Sequence, residues 1–354
     1  MFLNRKQNIL VTGARGQLGS YLVKELQKVS FKEKSPIGQV LGIDIDDLDL
    51  TQPHSVASFF NRSNSFDPTV KIDYVVHCAA ATDTAAIEKD PLKYYASTVI
   101  GTKNVAESCA YNGIKMIHIS TDYVMSELSP IGFYGKEIEF PVNQYGMHKL
   151  IAEKEAQLAY FNAKHPERLL IGRLSWLFGN SSNSFVEKLL KSICKTYANH
   201  IKSLKAGDKD CGCIEHRVVD DAFGKPTPVK LVLVKVLEAI DDKLSGIVDF
   251  QYNGSQISRL DWAMIVWSSF CSGVNSICSS EQSYEVLKAM ASKVNLVGVK
   301  SSELELGMRH PGRVLYSGDV PYSEYSQCTV EYVDANISRL VELAMSTLRE
   351  EGAI

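Results

Sequence analysis

Three glycines, Gly13, Gly16 and Gly19, stand between the apolar run Asn8 to Thr12 and an amphipathic stretch from Leu18 to Val29. This junction constrains the fold most, because a strand that turns straight into a helix through glycines opens a parallel βαβ unit. The rhythm then repeats. Val40 to Asp44, Tyr74 to Cys78, Lys115 to Ser120 and Leu169 to Arg173 read as strands, with helices over Ser55 to Phe60, Tyr94 to Tyr111 and Asn143 to Tyr160. Such alternation implies an α/β fold, a Rossmann-like doubly wound parallel sheet. Beyond Trp176 the alternation loosens, and Asn180 to Ser184 is a turn-rich seam where a second region can begin.

Bulk properties exclude several classes. A chain of 354 residues with 45% hydrophobic content can build one large or two modest cores. The net charge of -3, with lysines and arginines scattered, offers no field for nucleic acid. Met1 to Leu3 is interrupted by Asn4, Arg5 and Lys6, and the richest apolar stretch, Leu231 to Leu237, carries Lys235. The expectation is a cytoplasmic protein with neither leader nor membrane span. Eight cysteines without a framework read as reduced thiols. Cys211 and Cys213 with His216 lack a second ligand pair, so no metal site is expected. Lys202 to Cys213 reads as a solvated surface insertion.

Glycines at a strand-to-helix turn let backbone amides approach a pyrophosphate, whose charge the helix N-terminus stabilises. Their spacing here is G-x-x-G-x-x-G. Asp44, closing the second strand, can accept hydrogen bonds from ribose hydroxyls or cap its own turn, and Asp46, Asp47 and Asp49 crowd it. Asp44 would repel a 2′-phosphate that Arg15 could bind, so NADH and NADPH both stay open. Residues 1–178 are read as an NAD(P)-binding Rossmann domain. Residues 179–354 are read as a smaller C-terminal α/β substrate-binding region, interleaved with the first.

Tyr145 and Lys149 are one helical turn apart, where an ammonium would favour the phenolate and bring the tyrosine towards working range. Tyr145 could then protonate a carbonyl oxygen as hydride reaches its carbon. Thr121, at the C-terminal end of a parallel strand, could hydrogen-bond the same oxygen. Tyr123 has no lysine four residues on and is read as packing.

On these residues the chain resembles the extended short-chain dehydrogenase/reductases, and within them the dTDP-4-dehydrorhamnose reductase family. Gly13 to Gly19 is similar to its glycine loop, Val76 to Thr82 to its fourth-strand segment and Ser120 to Val124 to its STDYVF motif. Pro141 to Leu150 resembles P-x-N-x-Y-G-x-x-K-L, Arg173 to Gly179 resembles R-x-S-W-x-x-G, and Asp221 to Thr227 resembles D-Q-x-G-x-P-T. The resemblance implies reduction of the 4-keto group of a dTDP-linked 6-deoxy sugar by NADPH or NADH, with Thr121, Tyr145 and Lys149 catalytic. It places Gly13, Arg15, Gly16, Gln17, Leu18, Gly19, Asp44, Asp49, Leu50, Ala80, Ala81, Thr82, Tyr145 and Lys149 around the cofactor. Thr121, Asp122 and Trp176 would meet the nucleotide sugar. It also suggests homodimers and occasional magnesium. The chain departs from the pattern at Thr84 to Glu88, at Thr98 and at Met125, and is longer near Phe31 to Pro36 and Thr196 to Cys213. Two other readings are another extended-family epimerase or reductase, and a non-catalytic subunit resembling the regulatory β subunit of methionine adenosyltransferase.

Overall fold

The computed structural model describes residues 6–61, 71–125, 138–179, 184–209, 212–241, 244–252, 256–276, 282–304 and 323–353. The chain divides into two compact units. One comprises residues 1–175 and 229–251, the other 176–228 and 252–354. Residues 229–251, inside the stretch read as the substrate region, thus belong with the first unit. Of the seam at Asn180 to Ser184, only Ser184 lies within the described residues.

The first unit runs β1 (Gln7–Thr12), α1 (Gln17–Ser30), β2 (Ile37–Ile43), α2 (Pro53–Asn61), β3 (Tyr74–His77), α3 (Thr84–Lys89), α4 (Pro91–Tyr95), α5 (Gly101–Tyr111), β4 (Lys115–Thr121), α6 (Gln144–Asn162) and β5 (Leu169–Leu174). A π-helical turn, Ala96–Ile100, joins α4 to α5. The sheet has six strands, in the order Gly246–Asp249, β5, β4, β3, β1, β2. Every pairing is parallel. Because helices cover a parallel sheet on both faces, its strands read as continuous apolar runs, and all of β3 and β5 is buried. Leu10, Val75, Met116 and Ile171 pack with Phe59 and Phe60 of α2, Val105 of α5 and Tyr160 of α6. Each such large side chain contributes roughly 1.5–3 kcal/mol on burial.

The apolar stretch around Leu231 is the helix Val229–Ile240, packed on α1. The strand that follows it, Gly246–Asp249, extends the sheet beyond β5. Gly172 on β5 is glycine because the Phe250 ring occupies the space where a Cβ would stand, 2.6 Å away.

In the second unit, helices Phe185–Lys205, Arg259–Ser276, Gln282–Lys293 and Ile337–Glu350 surround a core centred on Trp262, Trp267 and Phe270. A parallel pair, Ile214–Val219 with Val294–Val299, lies among them. The segment read as an insertion from Lys202 is corrected in part. Lys202 to Lys205 complete a 21-residue helix whose Tyr197 and Ala198 are buried, so apolar spacing upstream carries the helix through the charged residues. No helix among the described residues is long and apolar enough to cross a membrane.

Candidate active site

Strand order in the first unit reverses between β1 and β3, since the chain moves from β1 to β2 on one side and from β3 to β4 on the other. Ligands of such sheets bind outside the carboxyl ends of the strands at this point. The glycine turn lies there. Gly13 has φ +66°, and a Cβ on it would stand 2.8 Å from the Ala79 nitrogen, so the loops after β1 and β3 meet only because position 13 lacks a side chain. A Cβ on Gly19 would overlap the Gly13 carbonyl. Gly16 donates its N–H to Gly13 (3.0 Å), which tightens the turn. Gln17 and the buried Leu18 begin α1, whose N-terminus has no side-chain cap and no acidic residue in its first turn. A backbone cradle at an uncapped helix N-terminus fits a dinucleotide pyrophosphate.

Asp44 does what its capping alternative predicts. It accepts the Arg15 N–H (2.8 Å) and the Ile45 N–H (2.8 Å), which ties the glycine turn to the end of β2. The Arg15 guanidinium, open in sequence to a phosphate, pairs with Asp46 and stands 3.7 Å from Asp47, and the Asp46 hydrogen bond raises its pKa. Asp49 accepts from the Thr51 hydroxyl (2.7 Å), which holds its carboxyl below the usual range. Asn104 of α5 donates to the Leu50 carbonyl (2.9 Å). After β3, Ala80 is partly buried and Thr82 exposed. Between them the Ala81 N–H donates to the Thr98 hydroxyl (3.2 Å), which the π turn presents. Thr98, a departure from the family pattern, therefore has a place at this edge.

Three residues gather at the end of β4. Thr121 closes the strand and accepts the Tyr123 N–H (3.2 Å), capping the short 3-10 turn Asp122–Val124. The Thr121 hydroxyl also donates to Asp122 (3.3 Å). Asn143 caps α6 through the Gly146 N–H (2.8 Å) and so sets where Tyr145 begins its turn. A Cβ on Gly146 would overlap the Tyr123 carbonyl, so this glycine lets the helix seat on the β4 exit. The Tyr145 ring meets Tyr123 edge-on at 5.5 Å. Lys149, buried, donates to the Ile119 carbonyl (2.7 Å).

One expectation about this group is corrected. Burial pushes the Tyr145 phenol up, hydrogen bonding to Thr121 pulls it back, and Tyr123 and Asp122 push it further. The lysine's ammonium is committed to the Ile119 carbonyl, so spacing on the helix does not by itself bring it onto the phenol. Lys149 is itself lowered to about 8 by burial, against the pull of Glu153 and Cys78.

Trp176 opens the second unit with φ +40°, unusual for a residue with a side chain. Its indole stacks on Trp262 at 5.5 Å and carries the Arg259 guanidinium 3.7 Å above its ring. A Cβ on Gly224 would overlap that indole, and the Thr227 N–H donates to the Trp176 carbonyl (3.2 Å). Trp176 therefore interlocks with the segment Asp221 to Thr227, which explains the glycine at position 224. Arg259, Asn104 and Glu153 escape a reading of the sequence, because each acts on a partner far along the chain. His216 turns to Thr196 (2.8 Å), while Cys211 lies outside the described residues.

The family described as RmlD substrate binding domain matches residues 7–297. The dTDP-4-dehydrorhamnose reductase of Mycobacterium tuberculosis H37Rv is 28% identical over 268 residues, 74% of this chain and 75% of the relative. That of Aggregatibacter actinomycetemcomitans is 32% identical over 183 residues, 52% of this chain and 56% of the relative. Among solved structures, a dTDP-4-dehydrorhamnose reductase from Clostridium acetobutylicum superposes with a TM-score of 0.67 at 26% identity, covering 93% of this chain and 99% of that one. Another, from Bacillus anthracis in complex with NADP, gives 0.65 at 24% identity, covering 92% and 98%.

Proposed function

The chain belongs to the family described as RmlD substrate binding domain, and from that membership we propose an NAD(P)H-dependent reductase of the 4-keto group of a nucleotide-linked 6-deoxy sugar. The substrate we assign is dTDP-4-dehydro-L-rhamnose, reduced to dTDP-L-rhamnose. The observation that carries the reading is the seating of α6 on the carboxyl end of β4, Tyr145 against Thr121 and Lys149 on the Ile119 carbonyl, in a sheet whose switch point holds a glycine cradle. The reductases named among its relatives support the substrate.

The amides of Gly13 to Gly19 would hold the pyrophosphate and Asp44 a ribose. Asp49, Leu50, Ala80, Ala81 and Thr82 border the rest of that site, and Lys149 would hold the nicotinamide ribose. Bound there, the cofactor supplies a hydride to the carbonyl carbon. Tyr145, raised by burial, keeps its proton at neutral pH and can give it to the sugar oxygen as charge develops there. Thr121 steadies the same oxygen. Asp122 and Trp176 are assigned to the substrate. Lys149, at about 8, holds its charge through neutral pH and loses it above, so activity should decline on the alkaline side. The same likeness leads us to place the enzyme in the cytoplasm as a homodimer.

The test is NADPH and NADH oxidation, followed by absorbance, on dTDP-4-dehydro-L-rhamnose and on UDP- and GDP-linked 4-keto sugars. Turnover confined to the dTDP substrate is expected. Turnover on another nucleotide alone would move the assignment, and no turnover, with an enzyme partner recovered stoichiometrically by pull-down, would replace it with a regulatory role.

A further inference from the structure

Tyr145, Lys149 and Glu153 repeat every four residues along one face of α6 and fasten onto three consecutive residues of β4. Tyr145 meets Thr121, Lys149 donates to the Ile119 carbonyl at 2.7 Å, and Glu153 accepts from the Ser120 hydroxyl at 2.5 Å. Glu153 is completely buried. A carboxylate there is tolerated only if its oxygens are satisfied. Arg173, which faces Ser120 in the β4–β5 register, satisfies them through Nε at 3.1 Å and Nη2 at 2.6 Å, and its Nη2 also reaches Glu139 at 3.0 Å.

We propose that Glu153 is a positioning residue of the reductive site, a buried carboxylate one helical turn beyond Lys149 that fixes the charge of its ammonium. This rests on the assignment of Tyr145 and Lys149 given above. Among the described residues, the groups that act electrostatically on the lysine, or feel it, come from three elements. Cys78 and His77 lie at β3, His118 lies on β4, and Glu153 is on α6 itself. Cys78 is pushed up to about 12 and stays a thiol, and both imidazoles are held neutral by burial. Arg173, on β5, is a cation whose guanidinium is spent on Glu153 and Glu139. Glu153 is therefore the anion that opposes burial in keeping the ammonium protonated.

The test is the pH dependence of kcat/KM in Glu153→Gln and Glu153→Asp, together with a direct titration of Lys149. The titration follows the 13Cε resonance in labelled, cofactor-free protein, assigned by its loss in Lys149→Met. In Glu153→Gln the alkaline limb should move down by about one unit, so activity at pH 8.5 relative to pH 6.5 falls about sixfold, and the lysine resonance should titrate lower by the same interval. Glu153→Asp, which keeps the charge on a shorter stem, should fall between, and it keeps the proposal testable if the Gln variant does not fold. A purely structural role predicts a uniform loss with a limb and a resonance that do not move; that result would overturn the proposal. A fully active Tyr145→Phe would instead sink the underlying assignment, while the resonance would still decide on Glu153.

Discussion

His77 and His118 face each other across β3 and β4 with rings stacked at 5.5 Å, both completely or almost completely buried. His77 is satisfied by Thr12 (2.8 Å) and Thr102 (3.0 Å), whereas neither nitrogen of His118 has a partner among the described residues. Burial, then the Lys149 charge, lowers His77 to about 3, and the same causes with His77 added hold His118 well below the ordinary range. A base whose pKa is depressed on folding is protonated first in the unfolded chain. Its stability contribution is whole above about 6.5 and is lost as pH falls from there towards the folded value. From pH 7 to pH 5, an imidazole neutral when folded and near 6.5 when unfolded costs about 2 kcal/mol, so the pair costs about 4 kcal/mol. His118→Leu should isolate half of this. It removes two orphaned nitrogens, so stability at pH 7 should change by no more than about 1 kcal/mol. The remaining histidines are common to both proteins and drop out of the comparison. Urea unfolding followed by far-UV circular dichroism at the two pH values should show the variant losing about 2 kcal/mol less than the parent on acidification. Equal losses would refute the claim that these buried imidazoles stay neutral in the fold.

Other outcomes follow from the same structure. Gly13→Ala should weaken cofactor binding more than tenfold in fluorescence titrations, since φ +66° and the Ala79 backbone leave no room for a methyl group. Gly224→Ala should displace the Trp176 indole, raising KM for the nucleotide sugar several-fold while cofactor affinity stays unchanged; a raised cofactor Kd would contradict this. Asp46→Asn should release the Arg15 guanidinium and shift the kcat/KM ratio several-fold towards NADPH over NADH.

The first unit's strands were legible because a parallel sheet covered on both faces demands uninterrupted apolar runs, and Ile9 to Val11 and Tyr74 to Val76 are such runs. The glycine turn was legible for a related reason, since position 13 requires a residue without a Cβ. The return of residues 229–251 to the first sheet was not. Leu231 to Leu237 announces an apolar helix, but nothing local says which core receives it. Glu153 was hidden by its neighbours: beside Lys154 and Glu155 it resembles a solvated charge run, and its partners Ser120 and Arg173 lie 33 and 20 residues away. The pairing of Tyr145 with Lys149 gave proximity but not direction, so the lysine's bond to Ile119 and the upward push on the phenol needed coordinates.

The central claim is that Tyr145 delivers the proton in a hydride reduction of a dTDP-linked 4-keto sugar. It is tested most directly by single-turnover oxidation of bound NADPH on dTDP-4-dehydro-L-rhamnose in the parent protein and in Tyr145→Phe, with cofactor binding measured in both. The account predicts that the parent turns over and that the variant binds the cofactor equally well but reacts at least a hundredfold more slowly, within the roughly 10²–10⁴-fold range of a lost general acid. Equal rates in the two proteins would contradict it.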